Sequence, residues 1–542
     1  MIKRSKICLL LCALTAIAFA PVAHAQTQNT QFESIGLYDT GHKDSLGTGI
    51  YHQSSRTGLT KLLEQNKRSH WIAVEKTINN FLLTTADASA LRNDIDIQAG
   101  KDLFTLRLNA LLKRGLNKQV FDLFTKIPEE STQESLAFIG VLSMLLNKEK
   151  ALACLETKTL LPHFKGNKFW QELDAYCTLS LSKQIHTTAQ TLIDNSDKVI
   201  ISSILKDPDY RFEYTPATFS ALSPLERALL TAEERIAITT AFKDTPPQHI
   251  PSLLLQTHIS DEAKVLLTMQ AVKHGILNIT SLTALYESLN ENTAHIKGIG
   301  EIIRLYGETK GSWIPKKRKK RIEKAFSIAK DYGDLALLPF LPILLKMEPG
   351  DDLSLDNTKR TIHLSLYSDL TIPPRWIKDL HTLSIKGSKN KDFENLRSQV
   401  LYATILLTNS TNEDHLIAAN KAIKPYLLSN NTLAALKNIT DAIDITPHNN
   451  GNVPYIYEND FDLLQNRSYT MPPSILLDAL RQSSENQDLG GTLFLSSIIL
   501  SGIEHKELYL GTLGDISIAL SKTGLKQVSL HLLAQAILEI EN

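Results

Sequence analysis

Cysteine is scarce in this chain. The 542 residues include four cysteines, and Cys8 and Cys12 stand at the very start. Only Cys154 and Cys177 lie in the body of the chain, too few to build a disulfide scaffold, so the fold must come from apolar burial. An excess of charge of one sign is missing too: Lys plus Arg number 58, as do Asp plus Glu, so any basic feature is local. Long hydrophobic runs are absent after the first residues. The strongest, Leu335 to Leu345 and Gly491 to Ile503, are short, and Pro339 and Pro342 interrupt the first, so both read as buried helices. Strand signals are sparse; residues 452–460 are the best extended stretch and read as a connection. What is present suffices for large cores: 43% of residues are hydrophobic and 21% charged. The length suits three or four domain equivalents or one elongated array.

The opening residues, MIKRSKICLLLCALTAIAFAPVAHAQ, have the three parts of a secretory signal. Lys3, Arg4 and Lys6 precede an apolar stretch from Ile7 to Ala20, and Ala23-His24-Ala25 supplies the small residues a signal peptidase needs. The apolar stretch is short for a membrane span, and Leu11 is a poor residue before a lipidated cysteine. The expectation is cleavage after Ala25 and a soluble protein exported to a bacterial periplasm, where nucleic acid is not a natural partner.

Helical periodicity dominates the rest. Leu103, Leu106, Leu108, Leu111 and Leu112 recur near one face, the chain turns at Gly115, and Val120, Leu123 and Phe124 resume the spacing. The same device returns at Gly275 and Gly524, and LLKRGLNKQV and ALSKTGLKQV read as copies of one hairpin. Each helix pair exposes an apolar face that a neighbour must cover. The expected fold is all-α: a superhelix of degenerate antiparallel pairs, tetratricopeptide-like but irregular. Its parts are a signal peptide (1–25), an irregular leader (26–55), the helical superhelix (56–445), a linker (446–473) and a C-terminal helical block (474–542).

Catalytic motifs fail on their geometry. GLYDTGHK (Gly36 to Lys43) misses a phosphate-binding loop because His42 separates the second glycine from the lysine. Ser180 to Lys183 and Ser327 to Lys330 match Ser-x-x-Lys, with Lys-Thr-Gly at 522–524, but the latter is a helix-pair turn rather than an edge strand. His42, Asp44 and His52 share the leader, and Glu504, His505 and Glu507 share one turn; neither is a closed metal set. No cofactor is expected. Peptidoglycan lytic transglycosylases combine helical superhelices with a Glu-Ser at a helix end, so Glu287-Ser288 keeps a cell-wall enzyme, or a regulator of one, as the alternative function. That pair lacks the Gly-Leu-Met-Gln segment those enzymes carry.

Two features remain. Cys154 and Cys177 fall on successive helical segments, Cys154 late in the first and Cys177 midway along the next; they either pair across a hairpin or stay independent buried thiols. The run Lys316, Lys317, Arg318, Lys319, Lys320 and Arg321 opens a helix for which Ser312 is the expected cap. Ile322, Ala325, Phe326 and Ala329 form its apolar stripe. Cations there oppose the helix dipole. The run is either a solvated helix start or a contact for an anionic partner such as lipid headgroups or a cell-wall polymer.

The phrases SIGLYDTG, SSRTGLTKLL, LFTLRLNALLKRG, KFWQELDAYCTLSL, MEPGDDL and GDISIALSKTGLKQVSLHLLAQAIL give the chain a resemblance to a family. It resembles an uncharacterised group of exported alphaproteobacterial proteins that sometimes carry an "antifreeze" label. The resemblance implies export and transfers no functional residue; no regular threonine repeat marks an ice-facing surface. The functional expectation is a periplasmic interaction scaffold for an unidentified protein partner.

Overall fold

The structure, a computed structural model, describes residues 32–92, 100–127, 133–181, 187–194, 199–238, 245–293, 296, 298–383, 391–408, 439, 443, 471–503 and 509–539. The expected signal peptide, the stretch 452–460, residues 446–470 of the expected linker, Lys183 and the Glu504, His505 and Glu507 group lie outside them. The described chain is all-α, with helices running from Arg56–Gln65 to Lys526–Glu539. Its only two-stranded ladder among the described residues is the parallel contact of Phe212–Glu213 with Ile236–Ala237.

One turn recurs. After the helices Leu103–Lys113, Asp261–Lys273 and Leu510–Lys522, an amide reaches back five residues. Leu116 N–H donates to the Leu111 carbonyl (3.0 Å), Ile276 to Ala271 (2.8 Å) and Leu525 to Leu520 (2.9 Å). This closure satisfies a helix-end carbonyl and needs a left-handed residue, here Gly115, Gly275 and Gly524 at φ 77°, 66° and 85°. The same bond closes turns at Lys148, Glu234 and Gln487, at φ 67°, 54° and 59°, despite a steric cost of about 1 kcal/mol for a residue with a Cβ. The Lys148 turn splits 134–160 into two helices, Glu134–Leu146 and Lys150–Leu160.

Two hydrophobic cores result. The larger draws on residues 50–139, 265–443 and 477–538; the smaller lies between residues 137 and 267. The helix Glu134–Leu146 serves both, which is why it is apolar almost all round. Leu136 and Ile139 face the first core, while Val141, Leu142 and Leu145 face the second. Asp261–Lys273 does likewise through Val265 and Met269 on one side and Leu267 on the other.

The end of the chain packs on its beginning. Leu489–Ser501 lies against Arg56–Gln65 and Ile72–Leu83, and Lys526–Glu539 lies against Ile72–Leu83 and Lys391–Leu407. Phe494 meets the Phe81 ring edge-on at 5.2 Å. Beside it Gly490 comes so near that a Cβ there would stand 3.2 Å from Phe81. The expected C-terminal block therefore shares one core with the first helices.

Polar bonds reinforce this closure. The helix Ile72–Leu83 has Trp71 at its N-cap, a side chain with no acceptor to offer. Gln535 supplies one from the last helix: its Oε1 accepts from Ile72 N–H at 3.0 Å, and its Nε2 donates to the His70 carbonyl at 3.2 Å. In return Ser54 donates its hydroxyl to Asp488 Oδ1 at 2.5 Å, the oxygen that caps Leu489–Ser501 through Gly491 N–H.

The leader is fastened underneath. Arg56 donates twice to the Glu33 carboxylate, at 2.6 and 2.7 Å, with both side chains sealed from solvent. Glu33 also accepts from Leu103 N–H at 2.9 Å, and Arg107 donates to the carbonyls of Leu82, Glu33 and Thr84. A charge pair this deep holds only because hydrogen bonds offset its lost hydration.

Gln535→Ala removes the acceptor of a half-buried helix-start amide and is expected to cost about 1 kcal/mol in urea unfolding. Gln527→Ala, on the exposed face of the same helix, is expected within about 0.5 kcal/mol of wild type. Equal midpoints for the two variants would contradict the capping role.

Candidate functional site

Beside these packed helices lies a half-open hollow of about 1030 Å³, with Lys43, Lys76 and Asp369 of its lining exposed to solvent. One wall is a single face of Ile72–Leu83. Ile72, Glu75, Lys76, Asn79, Asn80 and Leu83 line it, a spacing that alternates three and one and so follows one side of a helix. The opposite side, with Val74, Ile78, Phe81 and Leu82, is buried in the core. The remaining walls come from residues 38–44, Leu116 and Gln119, the 272–287 turn and helix, and residues 366–370.

Three of the four carboxylates lining this hollow are held by cations; the fourth, Asp44, has among the described residues only the His42 ring 4.0 Å away. Asp369 sits between Lys43 and Lys76 and bonds to both. Hydrogen bonds from Lys43 and then Lys76 hold its carboxyl down at about 2. Glu75 accepts from Arg114 at 2.7 Å, lies 3.5 Å from Arg68, and accepts from Ser69 N–H at 2.8 Å. Arg68 in turn donates to the His274 carbonyl at 2.6 Å, tying the first wall to the 272–287 turn; burial lowers its guanidinium to about 10. Glu287 pairs with Lys310, which holds its carboxyl below the ordinary range. Burial, with Arg68 and Lys273 nearby, pushes the His274 imidazole down to about 3, so it stays neutral at physiological pH. At one edge the His42 ring stacks on Tyr38 with centroids 4.0 Å apart. The side-chain amides of Asn80 and Gln119 carry no hydrogen bond among the described residues.

The structure distributes the residues singled out in the sequence. Cys154 and Cys177 form a disulfide with Cα atoms 5.6 Å apart, inside the smaller core beside Trp170 and Tyr176. The expected positions are corrected in detail. The Lys148 turn makes Cys154 an early residue of Lys150–Leu160, and Cys177 is late in Lys168–Leu181, as an antiparallel pair requires.

The basic run opens the helix Pro315–Tyr332, but Ile314 is its N-cap and no side chain caps it. Ser312 lies two residues too far out, and its carbonyl accepts from Arg318 at 2.6 Å instead. Arg321 pairs with Glu308 at 2.9 Å and Lys319 bonds to the Asp351 carbonyl. Lys316, Lys317 and Lys320 are exposed. Ile322, Ala325, Phe326 and Ala329 are buried.

Sequence reasoning missed the hollow. Asp369 is 326 residues from Lys43 and 293 from Lys76, so nothing local joins them. The polar stripe Glu75, Lys76, Asn79 and Asn80 was visible but reads as an ordinary solvent face. No protein-family model matches the chain, and no curated protein or solved structure matches it either.

Two predictions follow from these bonds. A depressed carboxyl stabilises the fold fully above its unfolded value near 3.9 and ceases to do so as pH falls through its folded value. Asp369→Asn is thus expected to lower thermal stability at pH 7 slightly, by under about 1 kcal/mol for so exposed a pair. The gap to wild type should narrow between about pH 4 and about pH 2; a gap unchanged at pH 2 would show that Asp369 acts otherwise.

Replacing Cys154 and Cys177 together with Ser, or reducing the wild type, is expected to destabilise the smaller core by about 3 kcal/mol for this loop. Hydrogen exchange in Lys150–Leu160 and Lys168–Leu181 measures it, and unchanged protection in both cases would refute it.

Proposed function

We propose that this is an exported helical scaffold that grips an extended segment of a partner protein in its central hollow. In this reading the antiparallel helix pairs form a degenerate, tetratricopeptide-like superhelix bent until its ends meet. The repeated five-residue turn supports the repeat character. The disulfide supports work in an oxidising compartment such as the periplasm.

The observation that carries the proposal is the chemistry of the walls. The volume reaches the upper end of small-ligand pockets. Asp369, Glu75 and Glu287 have their own cations, and Asp44 and Lys273 add one charge of each sign, so the lining carries no net excess of either. Apolar side chains such as Ile72, Leu83 and Leu277 alternate with the unpartnered amides of Asn80 and Gln119. Apolar pockets take side chains, and side-chain amides pair with a peptide backbone as donor and acceptor. A cell-wall hydrolase needs instead a carboxyl kept protonated near neutral pH. Glu287, of the Glu-Ser pair noted in the sequence, is shifted the opposite way by Lys310.

A photo-crosslinking residue at Gln119 is expected to give a discrete adduct in cells, while one at exposed Lys118 gives none. Ala284→Trp, which fills the hollow from its lining, should abolish the adduct without changing the melting temperature. Equal labelling at both positions would contradict the proposal. Release of soluble fragments from purified cell-wall sacculi, lost in Glu287→Gln, would establish the enzyme reading instead.

A further inference from the structure

The turn between the helices Ile299–Lys310 and Pro315–Tyr332 carries the most exposed large apolar side chain among the described residues. Trp313 is 94% exposed and its neighbour Ile314 50%. The chain has four tryptophans, and the other three, Trp71, Trp170 and Trp376, are fully buried. A tryptophan left in water loses the burial its indole gains elsewhere. Directly behind it the three exposed lysines project from the first turns of the helix.

Two nearby acids are already engaged, and Glu323 of the same helix pairs with none of the three lysines. Glu301 takes Arg304 and Lys324, and Glu308 takes Arg304 and Arg321. Lys316, Lys317 and Lys320 therefore have no acidic partner among the described residues. Their mutual repulsion is not relieved within the fold. The result is a two-residue apolar apex ringed by free cations.

We propose that this apex docks the protein on an anionic phospholipid bilayer, with Trp313 and Ile314 entering the headgroup region and the three lysines resting on lipid phosphates. Tryptophan favours that depth because its ring is apolar and its N–H still finds acceptors. Free lysines add attraction to a negative leaflet. A protein partner fits the shape less well: a specific interface needs a contiguous packed centre of some hundreds of Å² per side, and here the apolar surface ends after two side chains. A bilayer needs only a few inserted side chains and complementary charge. This docking is separate from the central hollow and does not depend on what the hollow holds.

The test uses the full chain and its own fluorescence, since Trp313 is the one tryptophan open to solvent. With phosphatidylglycerol vesicles at low salt, emission should shift to the blue and become protected from acrylamide. Phosphatidylcholine vesicles should do neither, and salt of about 0.5 M should reverse the effect by screening. Trp313→Ala should remove the shift. Lys316→Gln, Lys317→Gln and Lys320→Gln together should weaken partition about a hundredfold. The apolar stretch from Ile7 to Ala20 is common to every variant, so differences between variants report the apex alone. No shift with phosphatidylglycerol, or equal partition of the triple variant, would overturn the proposal. The same shift with soluble polyglutamate would also overturn it and assign the apex to an acidic protein.

Discussion

A single helix start near the beginning of the chain depends on the last helix. Ile72–Leu83 cannot cap itself, because Trp71 brings no acceptor and Gln535 arrives to accept the Ile72 amide. This helix is also the wall on which the hollow is built. Its inner face positions Glu75 for Arg114 and Arg68, and Lys76 for Asp369. Its opposite face fills the larger core. If the last helix detached, the cap, part of that core and the wall would be lost together. The ends of the chain are therefore a structural requirement of its middle.

The closure also explains how polar groups are tolerated inside. Glu33 and Arg56 are both removed from water, yet the backbone amide of Leu103 and the donors of Arg107 complete their surroundings. Glu75 is likewise shared by Ser69, Arg114 and Arg68. Networks of this kind add specificity because any other packing of the same helices would leave a charge bare. A core of leucines alone would permit several registers among so many similar helix pairs.

Much of the fold was legible in the sequence, for local reasons. Apolar spacing marked the helices, and Gly115, Gly275 and Gly524 marked three turns because glycine most readily takes the conformation those turns need. The turns at Lys148, Glu234 and Gln487 carry no such signal; there the packing of the flanking helices pays the strain. The pairing of Cys154 with Cys177 was legible as one of two outcomes, and its geometry depended on the hidden Lys148 turn. The hollow was not legible at all, since Asp369 lies 326 residues from Lys43 and 293 from Lys76 and meets them only in the folded chain. Trp313 stood beside the basic run in plain sight, but only its exposure distinguishes it from a core residue.

The central claim is that the first and last helices form one cooperative unit, to which Ile72–Leu83, the wall of the hollow, belongs. Native-state hydrogen exchange with increasing urea measures this directly. Ile72–Leu83, Leu489–Ser501 and Lys526–Glu539 are expected to lose protection together, with the same opening free energy and the same urea dependence. Loss of protection in the last two helices at lower urea, while Ile72–Leu83 stays protected, would contradict the account.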